Sequence, residues 1–377
     1  MRIAIVHDQL QEFGGAERVL VALKNIFPEA DIFTSFYNPT KLGTHAFHFK
    51  DWKINTSWAD KIPFLKRFYS PLRFITPLIW KGFNFNKYDV VISSSGSYMC
   101  KGISTSKNTI HVCYLHHPPR YLYNYETAIE WQKYWPIKVY GNLINHNLRL
   151  YDYSSSQNVD FFIANSIETQ KRIDKFYRCK SIVIYPPVNI PAKIAPNSYL
   201  LTPNYYIVVS RLARAKHIDI VIKAANQMKF MLKVVGSGRD LKYLQSIAGP
   251  TVEILSNITD QQLSDIYKNA KAYLFASVDE EFGIAPVEAM GYGLPVIAYA
   301  SGGLKETVIE NKNGYLFNQL TPESLCEKVK KFENLSEKEY RKMKINAREE
   351  SEKYTENIFK LKITEHISKV SLNKIKQ

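Results

Sequence analysis

The sequence is poor in the residues that brace small secreted domains. It has four cysteines in 377 residues (Cys100, Cys113, Cys179 and Cys326), none spaced C-x-x-C. That argues against a disulfide framework or a cysteine zinc site and fits a reducing compartment. No uncharged apolar stretch of about 20 residues occurs, so no transmembrane helix is expected. The N-terminal run Met1 to Asp8 is too short to act as a signal peptide. There is no D-x-D, no G-x-G-x-x-G, no Walker lysine and no G-x-S-x-G. A catalytic metal, a dinucleotide, a P-loop nucleotide and serine acyl transfer therefore all lack their usual signatures, and no cofactor is expected. Helix-turn-helix, zinc-finger and RNP signatures are missing too, which argues against nucleic acid as a partner.

What is present is ordinary globular material with an excess of cations. Hydrophobic residues make up 45% and charged residues 23%, and the net charge is +15. A charge of that size points to an anionic partner without choosing among phosphate, lipid and nucleic acid. Short apolar runs alternate with helical patterns throughout. Ile3 to Val6, 89–92, 110–115, 161–163 and 182–184 form one series, and 206–209, 232–235, 252–255, 273–275 and 295–298 a second. Such runs read as buried parallel strands in βαβ units. The fold class expected is α/β, two doubly wound Rossmann-like domains whose ligand-binding edges face across a cleft. The expected boundaries are 1–190 for the first domain and 191–355 for the second. A helix over 356–377 is a candidate to pack back on the first domain. Five prolines, at 186, 187, 191, 196 and 203, stiffen the connector.

Five segments carry candidate chemistry. Gly14-Gly15-Ala16-Glu17 follows the first strand, where paired glycines let backbone N–H groups approach an anion, or simply make a tight turn. Arg211, Arg214 and Lys216 cluster after a later strand; a fork and a point charge suit a diphosphate, and a solvated basic loop is the alternative. Asp279 to Gly291 places Glu280 in a loop and Glu288 in a helical turn, with Gly283, Ile284 and Ala285 offering N–H groups between them. Helix capping is the plainer role for such a carboxylate. His116-His117-Pro118 closes a buried strand, where a histidine can meet a substrate hydroxyl or phosphate. Lys61 to Tyr88 holds six cations, eight aromatics and no acid. It suits an anionic membrane surface, with Lys66, Arg67, Arg73 and Trp80 as contact candidates, or else aromatic core under a solvated face.

Together these segments resemble the family 4 glycosyltransferases, retaining enzymes of the GT-B fold, from Gly14-Gly15-Ala16-Glu17 to the helix start at Gly302-Gly303-Leu304-Lys305-Glu306-Thr307. The resemblance implies that Gly15 lies beside the donor phosphates and that Arg211 and Lys216 hold the diphosphate. It places Glu280 near the donor sugar, Glu288 near the ribose, and His116, rather than His117 by register, on the sugar side. Glu281 stands where many members have glycine. The acidic version followed by Phe-Gly-Ile is similar to a bacterial subgroup that makes mannosyl linkages for O-antigen or exopolysaccharide. GDP-mannose is the donor so implied, with a UDP-sugar next. A polyprenyl-linked oligosaccharide is the implied acceptor, on the inner face of the cytoplasmic membrane. A sugar-nucleotide epimerase and a non-catalytic nucleic-acid-binding protein are the rival functions.

Overall fold

A computed structural model describes residues 1–127, 134–192 and 204–375, with side chains to 372. Pro196 and Pro203 of the connector, and the tip of the C-terminal helix, lie outside the described residues. The described chain divides into two compact units. Residues 1–125, 134–187 and 356–375 build the first, and 126–127, 188–192 and 204–355 the second. Beyond the short crossing at 125/126, the backbone passes from the first unit to the second at 187/188 and returns at 355/356.

In the first unit, seven strands pair in parallel: β1 (Ile3–His7), β2 (Asp31–Thr34), β3 (Ile54–Thr56), β4 (Val90–Ser95), β5 (Ile110–Leu115), β6 (Phe161–Ala164) and β7 (Ser181–Val183). Their order is β3-β2-β1-β4-β5-β6-β7. β4 and β5 are buried along their whole length, which is why they read as continuous apolar runs. β2 and β3 escape that reading. β2 begins on Asp31, and β3 is a three-residue half-buried edge strand.

The helix Glu356–Ile375 belongs to this first unit. Phe359, Ile363, Ile367 and Val370 recur at helical spacing and are buried in the core of β1, β4 and β5. Each such side chain contributes about 1.5–3 kcal/mol on burial.

The second unit has six parallel strands: β8 (Tyr205–Val209), β9 (Met231–Val235), β10 (Val252–Leu255), β11 (Tyr273–Phe275), β12 (Val296–Tyr299) and β13 (Gly314–Phe317). Their order is β10-β9-β8-β11-β12-β13. β13 is the strand the sequence pattern misses, since it opens on a glycine and follows a turn. In both sheets the strand order reverses once, between β1 and β4 and between β8 and β11. A doubly wound sheet binds its ligand outside the carboxyl ends of the strands at such a reversal.

Two buried polar groups in the first unit have consequences for stability. The Lys101 ammonium pairs with the Asp152 carboxylate where both side chains are at most 1% exposed. Ser155 Oγ lies 3.1 Å from the ammonium, and Tyr123 and Tyr177 donate to the carboxylate at 2.7 and 2.9 Å.

The second group is His111 on β5, whose Nε2 lies 2.8 Å from Ser93 Oγ. Burial pushes its pKa down to about 4. The unfolded chain, with an ordinary histidine near 6.5, binds more protons between those values. This group's contribution is therefore complete above pH 6.5 and is lost as pH falls toward 4, by about 3 kcal/mol in all. Denaturant midpoints at pH 7 and pH 4.5 should fall further for the wild type than for His111→Gln. Equal falls would remove His111 as a cause.

Candidate active site

Unit two presents its residues at the carboxyl ends of β8 and β11. After β8 the chain runs Ser210-Arg211-Leu212 against the glycine turn that follows β9. The Leu212 N–H donates to Ser237 O at 2.8 Å, and a Cβ on Gly236 or Gly238 would strike the backbone of Ser210 or Leu212. This anchors the loop and leaves Arg211 exposed at its start. The three cations do not act as one cluster. Arg214 turns to Asp240, 3.6 Å away, and lies over the Tyr243 ring at 4.8 Å. Lys216 reaches the loop after β11, where its ammonium binds Glu280 Oε2.

Glu280 is held from several sides. Its Oε2 also accepts the Ser277 hydroxyl at 2.8 Å, and its carbonyl accepts the Gly303 N–H at 2.8 Å. Gly302 has φ of +56° and sits against the Glu280 carbonyl, so no other residue fits there without moving that loop. Asp279, at φ of +54°, donates its N–H to Ser301 Oγ at 2.9 Å. Lys216 and Glu280 are each less than a fifth exposed, so this ion pair is shielded but reachable.

The helix Ile284–Gly291 starts after Gly283, which caps it at φ of +88°. Its first turn carries Ile284 and Ala285. Glu288 is the fifth helical residue, two residues deeper than a start at Pro286 would place it. The charges of both glutamates act on one buried group, Tyr273. The buried phenol of Tyr273 donates to Val209 O at 2.6 Å. Burial raises its pKa well above the ordinary value, and the charges of Glu288 and Glu280 push the same way.

Unit one places Gly15 after β1, at its own strand reversal, and His116 after β5, one strand further along. Gly14 caps the helix Gly15–Ile26, and its N–H donates to Glu17 Oε2 at 2.8 Å. The other Glu17 oxygen lies 3.3 Å from His7 Nε2. His7 Nδ1 is 3.0 Å from Ser94 Oγ, and Ser94 Oγ is 2.8 Å from His116 Nε2. Next to this chain, Asp8 accepts three backbone N–H groups, from Gly96, Tyr98 and Cys100, at 2.8–2.9 Å. It thereby shapes the turn after β4. His117 bonds its own neighbour, with Nδ1 3.0 Å from Pro118 O. His7, Asp8, Glu17 and Ser94 were not singled out from sequence. Residues 7, 17, 94 and 116 meet only because β1, β4 and β5 are adjacent, and no local motif shows that.

The basic aromatic stretch divides. Trp80 is 0% exposed and donates its indole N–H to Tyr98 O at 2.6 Å. It is core, which corrects its reading as a membrane contact: the strands behind it need a large apolar filler more than a surface does. Lys66 is mostly covered and paired with Asp60 at 2.7 Å. Arg73 lies over the Tyr121 ring at 4.0 Å. Arg67, Phe64, Phe68 and Phe74 stay exposed. Beside them the helix Trp135–Ser156 exposes Trp135, Val139, Tyr140 and Leu143, and Tyr140 ties it to Pro71 O at 2.7 Å. That helix has no acidic residue before Asp152, a signal the sequence did carry.

Comparison with known proteins bears on unit two first. Residues 191–350 match the family model for glycosyl transferases group 1. That match lies within unit two. The group 1 match covers Arg211, Lys216, Glu280 and Glu288 alike. The chain is 28% identical over 284 residues to the UDP-N-acetylglucosamine–peptide N-acetylglucosaminyltransferase GtfA subunit of Streptococcus pneumoniae, covering 72% of this chain. It spans about half the length of that relative, 51%. It is 24% identical over 379 residues to the α-1,3/1,6-mannosyltransferase alg2 of Schizosaccharomyces pombe, covering 84% of this chain and 70% of the relative. Anabaena HepE, solved with UDP and glucose, superposes with a TM-score of 0.70 at 18% identity over 98% of this chain and 99% of that one. The fold of the chain is thus GT-B, built from two parallel-sheet Rossmann-like domains. Among the described residues, no three His, Cys, Asp or Glu side chains gather as a metal site requires.

Proposed function

We propose that this chain is a retaining glycosyltransferase that moves a sugar from a nucleoside diphosphate to a hydroxyl acceptor. The observation that carries the reading is the shielded Lys216–Glu280 pair at the strand reversal of a glycosyl transferases group 1 domain. Cleaving a sugar–phosphate bond leaves a diphosphate with growing negative charge, and fixed cations and amide dipoles stabilise such charge best where water is scarce. In this reading Lys216 and Arg211 take the diphosphate. The N–H groups of Gly283, Ile284, Ala285 and Gly15 supply aligned dipoles. Glu280 orients the donor sugar, Glu288 accepts from the ribose, and His116 meets a sugar hydroxyl.

Two donor classes have support. The likeness to the mannosyltransferase alg2 favours a mannose donor, for which the sequence resemblance implies GDP-mannose, and the likenesses to GtfA and HepE favour a UDP-sugar. Thermal shifts with GDP and UDP separate them, since a ligand at 100 times its Kd adds about 2.7 kcal/mol of stability. The cognate diphosphate should raise the Tm and the other leave it unchanged. No shift with either would sink the reading. NMR of the fresh product then reports whether the anomeric configuration is kept.

For the acceptor we propose a polyprenyl-linked glycan at an anionic membrane surface. Support comes from the exposed Phe64, Phe68, Phe74 and Trp135, flanked by Arg67 and Lys138, with no carboxylate between Lys61 and Tyr88. No helix among the described residues is long and apolar enough to cross a membrane. The full chain should sediment with phosphatidylglycerol vesicles at low salt and less so at high salt. Replacing Phe64 and Trp135 with serine should weaken this, whereas Trp80→Phe should not. Failure of the wild type to bind would remove the membrane from the proposal.

A further inference from the structure

We propose that His117 is a further ligand contact, its Nε2 meeting a sugar hydroxyl at the strand reversal of the first unit. The sugar rests on the glycosyl-transfer reading; the placement of the ring does not.

The placement follows from three strand ends. β5 ends at Leu115, so His117 is the second residue past its carboxyl end. β4 ends at Ser95 and β1 at His7, which makes Gly96 and Asp8 the first residues past those strands. The His117 ring crosses from β5 to the neighbouring strand end. A Cβ added to Gly96 would lie 3.4 Å from His117 Nε2 and 3.5 Å from its Cε1. The same Cβ would lie 3.4 Å from Asp8 Oδ2. Gly96, Asp8 and the Nε2 side of His117 therefore meet where β1 and β4 stand side by side and the strand order reverses. That is where a doubly wound sheet takes its ligand. Gly96 puts no side chain into the space.

The ring is held from its other side. Its Nδ1 is 3.0 Å from the Pro118 carbonyl oxygen. A carbonyl oxygen can only accept, so Nδ1 carries a proton whether the ring is neutral or charged. Nε2 is then the nitrogen left for a ligand. The neutral ring offers a lone pair there and the charged ring an N–H. A hydroxyl both donates and accepts, so it suits either state. Asp8 argues against an anion as the occupant. Both its oxygens accept backbone N–H groups, as an ionised carboxylate does, and a negative charge beside Gly96 opposes a phosphate. His117 itself is only partly buried, within reach of a ligand. Hydroxyls of the donor sugar and of the acceptor glycan share this chemistry, and the order of addition separates them.

Two-bond ¹⁵N–¹H correlation on the full chain labelled with ¹⁵N-histidine tests the placement first, at about pH 8.5, where histidines are ordinarily neutral. The signals missing from His117→Gln are those of His117. The expected ring is protonated on Nδ1, and a ring with a bare Nδ1 overturns the placement. GDP-mannose, UDP-N-acetylglucosamine and then a polyprenyl-linked glycan are added in turn. A His117 Nε2 signal that moves with a nucleotide sugar alone assigns the hydroxyl to the donor. One that moves only with the glycan assigns it to the acceptor, and one that moves with none overturns the contact. In the transfer assay His117→Ala should lower kcat/KM about five- to tenfold, the scale of one hydrogen bond. His117→Gln, whose amide reaches about as far as Nε2, should recover part of that. Unchanged kinetics beside an active wild type overturns the contact, and so does an equal loss in both variants. A wild type that transfers no sugar removes the glycosyl-transfer reading instead, and the sugar contact with it, while the NMR still decides the placement of the ring.

Discussion

Replacing Lys216 with alanine should lower kcat/KM for the nucleotide sugar by about 10²–10³-fold, or about 3–4 kcal/mol, the scale of removing one preorganised donor from a developing oxyanion. The structure adds a reason why this cation matters more than its neighbours. Arg214 is committed to Asp240 and Tyr243, and Arg211 is exposed. Lys216 is held against Glu280, with its ammonium 5.6 Å from the centre of the Phe275 ring. A preorganised cation in a shielded position needs little rearrangement as charge develops. Arg211→Ala, at an exposed position, should cost less than Lys216→Ala in the same assay. The Lys216→Ala protein should keep its Tm to within a few degrees, because Ser277 still donates to Glu280. An unchanged kcat/KM would end the assignment of Lys216 to the diphosphate.

The second large effect is on stability. Lys101→Met should destabilise the first unit by about 3–5 kcal/mol, because it leaves a fully buried Asp152 carboxylate without its cation. Tyr123 and Tyr177 still donate to that carboxylate, but neutral hydrogen bonds do not replace a charge in a low-dielectric site. At roughly 2–4 °C per kcal/mol for a unit of this size, the melting transition should fall by about 10 °C. Removing both charges, as Lys101→Met with Asp152→Leu, should recover most of the loss, since a buried pair costs desolvation that apolar side chains do not. If the double variant is no more stable than the single one, the charge argument is wrong and Lys101 acts through packing.

The parallel-sheet architecture was legible from sequence because buried parallel strands are written as unbroken Val/Ile runs, as in Val90 to Ile92 and Ile207 to Val209. It was not legible at β2, β3 and β13, where Asp31, a half-exposed edge and Gly314 interrupt the pattern. At the site, Glu280 and Lys216 could be named because each lies in a loop that follows an apolar run. His7 and Glu17 could not. A histidine closing a strand and a glutamate in a first helical turn have routine local roles, and only the side-by-side pairing of β1 and β4 puts them in line with His116. Trp80 was misplaced for the opposite reason: cations around an aromatic residue suggest a surface, yet the indole turns inward to Tyr98 while its neighbours turn out.

The return of the backbone at 355/356 has a cost during synthesis. The N-terminal sheet emerges early but lacks Phe359, Ile363, Ile367 and Val370 until the whole second unit has been made. At 5–20 residues per second, the ribosome takes on the order of 10–35 s to cover that interval. Through it, the part of the sheet's apolar face that this helix covers stands open, a point of aggregation when the protein is overexpressed.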